Sequence, residues 1–138
     1  MASQVQTSRA GSRAATIGWV LSGLMIAFLV VDAAMKLLAL PNVLEAQAPL
    51  GFAGAATARG LGVLLLACTL LYAAPRTAVL GAILLTGYLG GSVAVHLRVG
   101  DPLFTHILFG VYLGLLLWLG LYLRDERVRA LVPLRRDG

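Results

Sequence analysis

The sequence predicts an all-α integral membrane protein, an antiparallel four-helix bundle, and three observations carry that expectation. Hydrophobic residues make up 59% of the chain against 12% charged, with a mean hydropathy of +0.89, which describes surfaces that water does not solvate. The apolar residues gather in long runs, each near the roughly 20 residues that a helix needs to cross about 30 Å of hydrocarbon. Pro41, Pro49, Pro75 and Pro102 all fall between those runs, where a missing N–H costs nothing. Helices are required because hydrocarbon offers no partner for exposed backbone groups, and the runs lack the short alternation of membrane β-strands.

Taken in order, residues 1–16 form a polar N-terminal arm, and residues 17–123 hold the membrane domain. The first span runs from Ile17 to Leu40. Its basic arm and the later "AQA" resemble a cleaved leader. The apolar stretch is too long for one, however, contains Asp32 and Lys36, and "AQA" is followed at once by Pro49, so the span is expected to stay as a membrane helix. A longer connection, Asn42 to Ala56, leads to a second span from Thr57 to Ala74. The third runs from Ala78 to Leu97 and the fourth from Phe104 to Leu123. The links "APRT" and "LRVGDPLF" are short, which makes consecutive helices antiparallel neighbours. In the tail, residues 124–138, Val128, Leu131 and Val132 recur at helical spacing among arginines. Such a segment either lies along the membrane surface or serves as a solvated, topology-fixing tail.

Positive charge orients the bundle. Arg9, Arg13, Arg76, Arg124, Arg127, Arg129, Arg135 and Arg136 gather on one side, against Arg98 and Arg59 on the other. An excess of arginine and lysine marks the cytoplasmic face, so both termini are expected there, in a plasma (inner) membrane. The sequence pI of about 10.2 then reflects topology and contact with the lipid bilayer, and nucleic acid is not an expected partner.

Within this apolar frame a few polar residues stand out. Asp32 and Lys36 are four apart on one helix face, acid before base, the orientation in which they offset each other's charge. Lys36 is within snorkelling reach of the outer surface, whereas the short Asp32 side chain, about 12 Å below Leu40, is not. Tyr88, Ser92 and His96 follow at intervals of four in the outer half of the third span. Arg59 opens the second span and His106 the fourth, while Glu45 and Asp101 occupy the outer connections. The sequence offers no equivalent cluster in the inner half. Asp32, Lys36, Arg59, Tyr88, Ser92, His96 and His106 are therefore the candidate ligand-binding residues, because ionisable groups at membrane depth are functional by default. The competing reading is that they hold the helices together.

Other chemistries fit less well. His96 and His106 with Asp101 between them match no dedicated metal spacing, and both metal and haem ligation are disfavoured. The single cysteine, Cys68, cannot run an internal dithiol cycle. No phosphate loop, nucleophile elbow or zinc-protease motif is present, so no catalytic residue is assigned. Tyr72, Trp19, Tyr122 and Trp118 read as interfacial or packing aromatics. Gly87-x-x-x-Gly91 and Gly110-x-x-x-Gly114 permit close helix approach, within one chain or between the chains of a homo-oligomer.

The stretches "VVDAAMKLLALPNVLEA", "ACTLLYAAPRTAVLGAILLTGYLGGSVAVHLRVGDPLF" and "LLLWLGLYLRDERVRALVPLR" resemble the DoxX-like family of small four-helix membrane proteins. The resemblance covers most of the chain after Phe28 and directs attention to Asp32, Lys36, Tyr88, His96 and Arg98. It implies a subunit linked to membrane quinone and to a redox partner protein, as some relatives look like parts of sulfur-oxidising or redox-defence complexes. The chain departs from some relatives at Leu65, where they carry an acid, and at Gly110, where they carry proline. The missing acid speaks against a proton relay.

Two functions from different classes follow. The first is an accessory subunit, not an enzyme on its own, whose outer pocket holds a quinone-like or other amphipathic molecule, with Lys36, His96 and Tyr88 at its head. The second is a small proton-coupled exporter working through Asp32, against which the Lys36 pairing counts. A purely structural assembly protein is the remaining alternative.

Overall fold

A computed structural model describes residues 2–131, and the side chains of residues 11–131. The N-terminal arm and the first span form one continuous helix, α1 (Ala2–Leu37). It stops because Ala39 turns left-handed, at φ +49°, with the Leu40 N–H closing back on the Met35 carbonyl. Pro41 then holds Leu40 extended and opens a second helix, α2 (Pro41–Gln47), at the position where its missing N–H is harmless. The Asn42–Ala56 connection is thus partly helical, which its short run of apolar residues did not announce.

Three further long helices follow: α3 (Ala55–Ala73), α4 (Ala78–Val99) and α5 (Phe109–Arg124), with a short α6 (Glu126–Leu131) at the end. The fourth span does not begin as an α-helix. Leu103–Ile107 form a π-helical turn, in which the Ile107 and Leu108 N–H groups reach back five residues to Pro102 and Leu103. Gly100, left-handed at φ +77°, ends α4 and sends the Asp101 N–H back to the His96 carbonyl.

The helices form a ring in which α1 packs on α3 and α5, and α4 packs on the same two from the opposite side. Hence α1 faces α4 across one diagonal, and α3 faces α5 across the other. The core is narrow and built from Met25, Leu29, Ala33, Leu65, Tyr72, Leu85, Leu117 and Leu121. Only 22 to 33% of each apolar span is buried, and Leu24, Val31, Leu64, Ile83 and Leu115 point outward. Helices as apolar outside as inside need lipid around them. With four helices among the described residues long and apolar enough to cross a bilayer, the protein is an integral membrane helical bundle.

Glycine sets how closely the helices approach, but the spacing motifs locate only part of this. A Cβ on Gly81 would lie 2.1 Å from the Tyr72 nitrogen, and one on Gly62 would lie 3.0 Å from the Ala33 carbonyl oxygen. At the end carrying the termini, Gly18 and Gly120 let α1 and α5 touch. Gly110 meets α4 at Leu89 and Val93, while Gly87 and Gly91 have open space where a Cβ would stand. Spacing says which residues share a helix face; it does not say whether that face turns inward.

That same end also holds a polar network, contrary to the expectation that this half lacked one. The fully buried Tyr72 hydroxyl donates to the Leu117 carbonyl at 2.7 Å, leaving the Ser22 hydroxyl, 3.1 Å away, as its donor. Arg124 stacks over Trp19 and Tyr72 and donates to the Tyr72 carbonyl. Arg127 and Arg129 donate to the carbonyls of Pro75 and Leu123. In α6, Val128 is buried in the core and Leu131 is 73% exposed; Val132, Arg135 and Arg136 lie outside the described residues.

Candidate functional site

The opposite half of the bundle holds a half-open cavity of about 650 Å³ between the diagonal pair α1 and α4, bounded by α2, its following loop, the π-turn and α5. Its geometry follows from the chain path. Residues 28 to 36 of α1 and 88 to 96 of α4 run toward the loops, while α5 starts there and runs away. Apolar side chains therefore line the deep end and polar ones the end near the loops. Phe28, Leu29, Leu89, Phe109 and Leu113 form the deep wall, with Phe28 and Phe109 edge to face at 6.0 Å between ring centroids.

An ion pair and a histidine–carboxylate hydrogen bond stand at the polar end. Lys36 Nζ lies 2.5 Å from Asp32 Oδ1, the i,i+4 pairing that the spacing predicts. Lys36 does not snorkel outward: its side chain is 13% exposed and turned to its partner, whereas Asp32 is 30% exposed. His96 Nδ1 lies 2.5 Å from Asp101 Oδ2, a contact made possible by the left-handed Gly100, which folds Asp101 back over the end of α4. The His106 ring is 6.0 Å from the His96 ring, centroid to centroid, and its Nδ1 is within 2.8 Å of Thr105 Oγ1. No group of three metal-ligating side chains occurs among the described residues.

Asp32, Lys36, Tyr88, Ser92, His96 and His106 all line this cavity. Arg59 does not; its Nε donates to the Leu37 carbonyl at 3.3 Å, capping the end of α1. Arg98 likewise serves the backbone, donating to the Leu50 carbonyl and so holding the loop that closes the cavity.

Sequence reading missed Gln47, Phe52 and the participation of Asp101. A signal for Gln47 was present: Pro41 marks a helix start, and Val43 and Gln47 are then four apart on its buried side. The π-turn had no such signal, although it delivers His106 to the cavity.

A smaller recess of about 330 Å³ lies at the other end, among Trp19, Pro75, Arg124, Asp125, Glu126 and Arg127. Asp125, beyond the last span, accepts hydrogen bonds from the Arg127 backbone and side chain and caps α6. Burial works against its charge. Those bonds, with the positive charges of Arg127 and Arg124, outweigh that and hold the carboxyl below the usual carboxylate range.

No curated protein and no solved structure matches the chain. The family model described as the DoxX-like family matches residues 20–120, which takes in most of the membrane core and every residue named above as lining the larger cavity. With that match spanning most of its length, the chain belongs to the DoxX-like family.

Proposed function

We propose that this membrane protein is an accessory, redox-linked subunit that holds a quinone-like amphipathic molecule in the cavity between α1 and α4. One observation carries the reading: a space of about 650 Å³ that is apolar at its deep end and lined at the other by Lys36, Tyr88, Ser92, His96 and His106. That volume falls within the about 300–1,000 Å³ of small-molecule sites, and its division into an apolar and a polar end suits a ring with a hydrocarbon tail. Tyr88, Ser92 and His96 supply hydrogen bonds to the head group, and the leucine and phenylalanine side chains hold the tail. The redox link, and a partner protein to exchange electrons with, rest on the family resemblance. Asp32, held by Lys36, is poorly suited to the proton cycle of an exporter.

In this reading the termini face the cytoplasm of a plasma (inner) membrane, which puts the cavity in the outer leaflet; arginine asymmetry supports that orientation. The test is lipid extraction of the gently purified protein with quantification of any isoprenoid quinone. Ser92→Phe, which fills the cavity, and His96→Gln should each lower occupancy while melting stays near that of the parent. Equal occupancy in parent and both variants rejects the cavity as the binding place.

A further inference from the structure

The deep wall of the cavity is unevenly covered. Leu29 and Leu89 are 2% and 6% exposed, so the cavity gives its lining little exposure of its own. Phe28 and Phe109 line the same wall, yet they are 46% and 44% exposed, which places part of each ring on the outer surface of the bundle. The two rings meet edge to face, one from α1 and one from α5, so they stand where the seam between these helices separates the cavity from the outside. Phe28 comes eight residues before Lys36, about 12 Å deeper along α1, and at that depth the outside is hydrocarbon. The seam is built differently at its two ends. Near the termini glycines let the backbones touch: a Cβ on Gly18 would lie 2.7 Å from the Arg124 nitrogen, and one on Gly120 would lie 3.2 Å from the Ser22 nitrogen. At the cavity the helices meet through the phenylalanine rings. Helix axes fix a backbone contact, whereas exposed side chains change rotamer within nanoseconds, so the aromatic end can part without moving a helix.

We infer that the deep end of the cavity opens into the bilayer between Phe28 and Phe109, and that the hydrocarbon tail of the occupant leaves the protein there. The site therefore takes amphipathic molecules whose tails are longer than the cavity, polyprenyl lipids among them, and reads only the head and the first part of the tail. This rests on the reading that the cavity holds an amphipathic ring. Carbons beyond the seam lie in lipid whether the molecule is bound or free, and lipid is as apolar as a leucine-lined wall, so they add nothing to affinity. A cavity closed at that end has to pack every further carbon inside itself, and a tail larger than the space is excluded. Gly91 also lines the cavity and is exposed, on α4, but it stands between Tyr88 and Ser92, beside the head of the occupant. On the deep wall the exposed residues are the two phenylalanines.

The test uses the full chain in lipid nanodiscs, titrated with two benzoquinones of identical head, one carrying an n-decyl and one a solanesyl tail, with affinities referred to concentration in the bilayer. The two should bind within about tenfold of each other, because the extra carbons never leave lipid. A larger loss for the solanesyl compound overturns the inference while the cavity reading stands. A third benzoquinone carries a diazirine partway along a polyprenyl tail. On irradiation it should attach to α1 and α5 at or beside Phe28 and Phe109, as peptide mass spectrometry reads, and excess n-decylbenzoquinone should suppress that attachment. Attachment to another face, such as α3 and α4 on the Gly91 side, or attachment that the excess leaves unchanged, likewise overturns the tail route. Binding of none of the three probes removes both readings.

Discussion

The Tyr72 hydroxyl donates to the carbonyl oxygen of Leu117 across the α3–α5 diagonal, at 2.7 Å and with no access to solvent. That carbonyl belongs to a helix that does not pack directly on α3, so the bond spans the centre of the bundle. Tyr72→Phe keeps the ring and deletes the link, together with the acceptor for Ser22. The expected loss is about 0.6 to 2 kcal/mol, the range of hydrogen bonds between membrane helices. Thermal melting in detergent should fall accordingly, while ligand occupancy at the far end stays constant.

Asp32 and Lys36 should behave as one unit. Replacing either by leucine strands its partner's charge, whereas replacing both removes the problem together with the pair. A double-mutant cycle on melting should give a coupling of about 0.5 to 3 kcal/mol, and additive losses would deny the pairing.

The glycines make a contrasting pair of predictions. Gly81→Ala forces a methyl against the Tyr72 backbone and should destabilise by about 1 to 3 kcal/mol or more, as overpacking does. Gly87→Ala meets nothing within the chain and should melt like the parent. A Gly87→Leu protein whose oligomer dissociates in native mass spectrometry, with its melting intact, would assign that face to contacts between chains.

Asp125 gives a pH dependence with a definite sign. Its carboxyl is held below the usual range, so the stabilisation it brings to α6 is full above the ordinary carboxylate pKa of about 3.9 and is lost as pH falls through the lower folded value. Amide exchange in α6 should be level from neutral pH to about 5, once corrected for intrinsic rates, and rise below about 4. Asp125→Asn should flatten that rise.

Orientation is open to direct labelling. In a Cys68→Ala background, single cysteines placed at Ser3 and at Asp137 should react with an impermeant thiol reagent only after the inner face is opened. Labelling of either in intact cells would reverse the proposed topology.

The four membrane spans were legible because hydropathy alone marks a segment that lipid must surround, and Asp32 with Lys36 was legible because four residues is one helical turn. Tyr88, Ser92 and His96 were found by the same periodicity. Arg59 sits at a suitable depth in the sequence but reaches the end of α1 instead, since depth along a helix does not fix azimuth. Gln47 and the π-turn lie in connections, where a few residues can take many paths and only tertiary packing chooses among them. Tyr72 resembled an ordinary interfacial aromatic; its role depends on Ser22 and Leu117, both more than forty residues away.

The locality of these two side-chain pairs bears on how the chain is made. Lys36 neutralises Asp32 from within α1, and Asp101 meets His96 from the residue just beyond the turn that ends α4. Neither pair waits for another helix. A nascent chain can thus release α1 into lipid before α3 has been synthesised, with its charges already offset, and α4 leaves with its histidine partnered from the same hairpin end. What does require the whole chain is the Arg124 stack on Trp19 and Tyr72, which joins the last span to the first. Closing the ring between α5 and α1 therefore needs the last span, whereas the side-chain pairs at the cavity rim need only their own helix or its end.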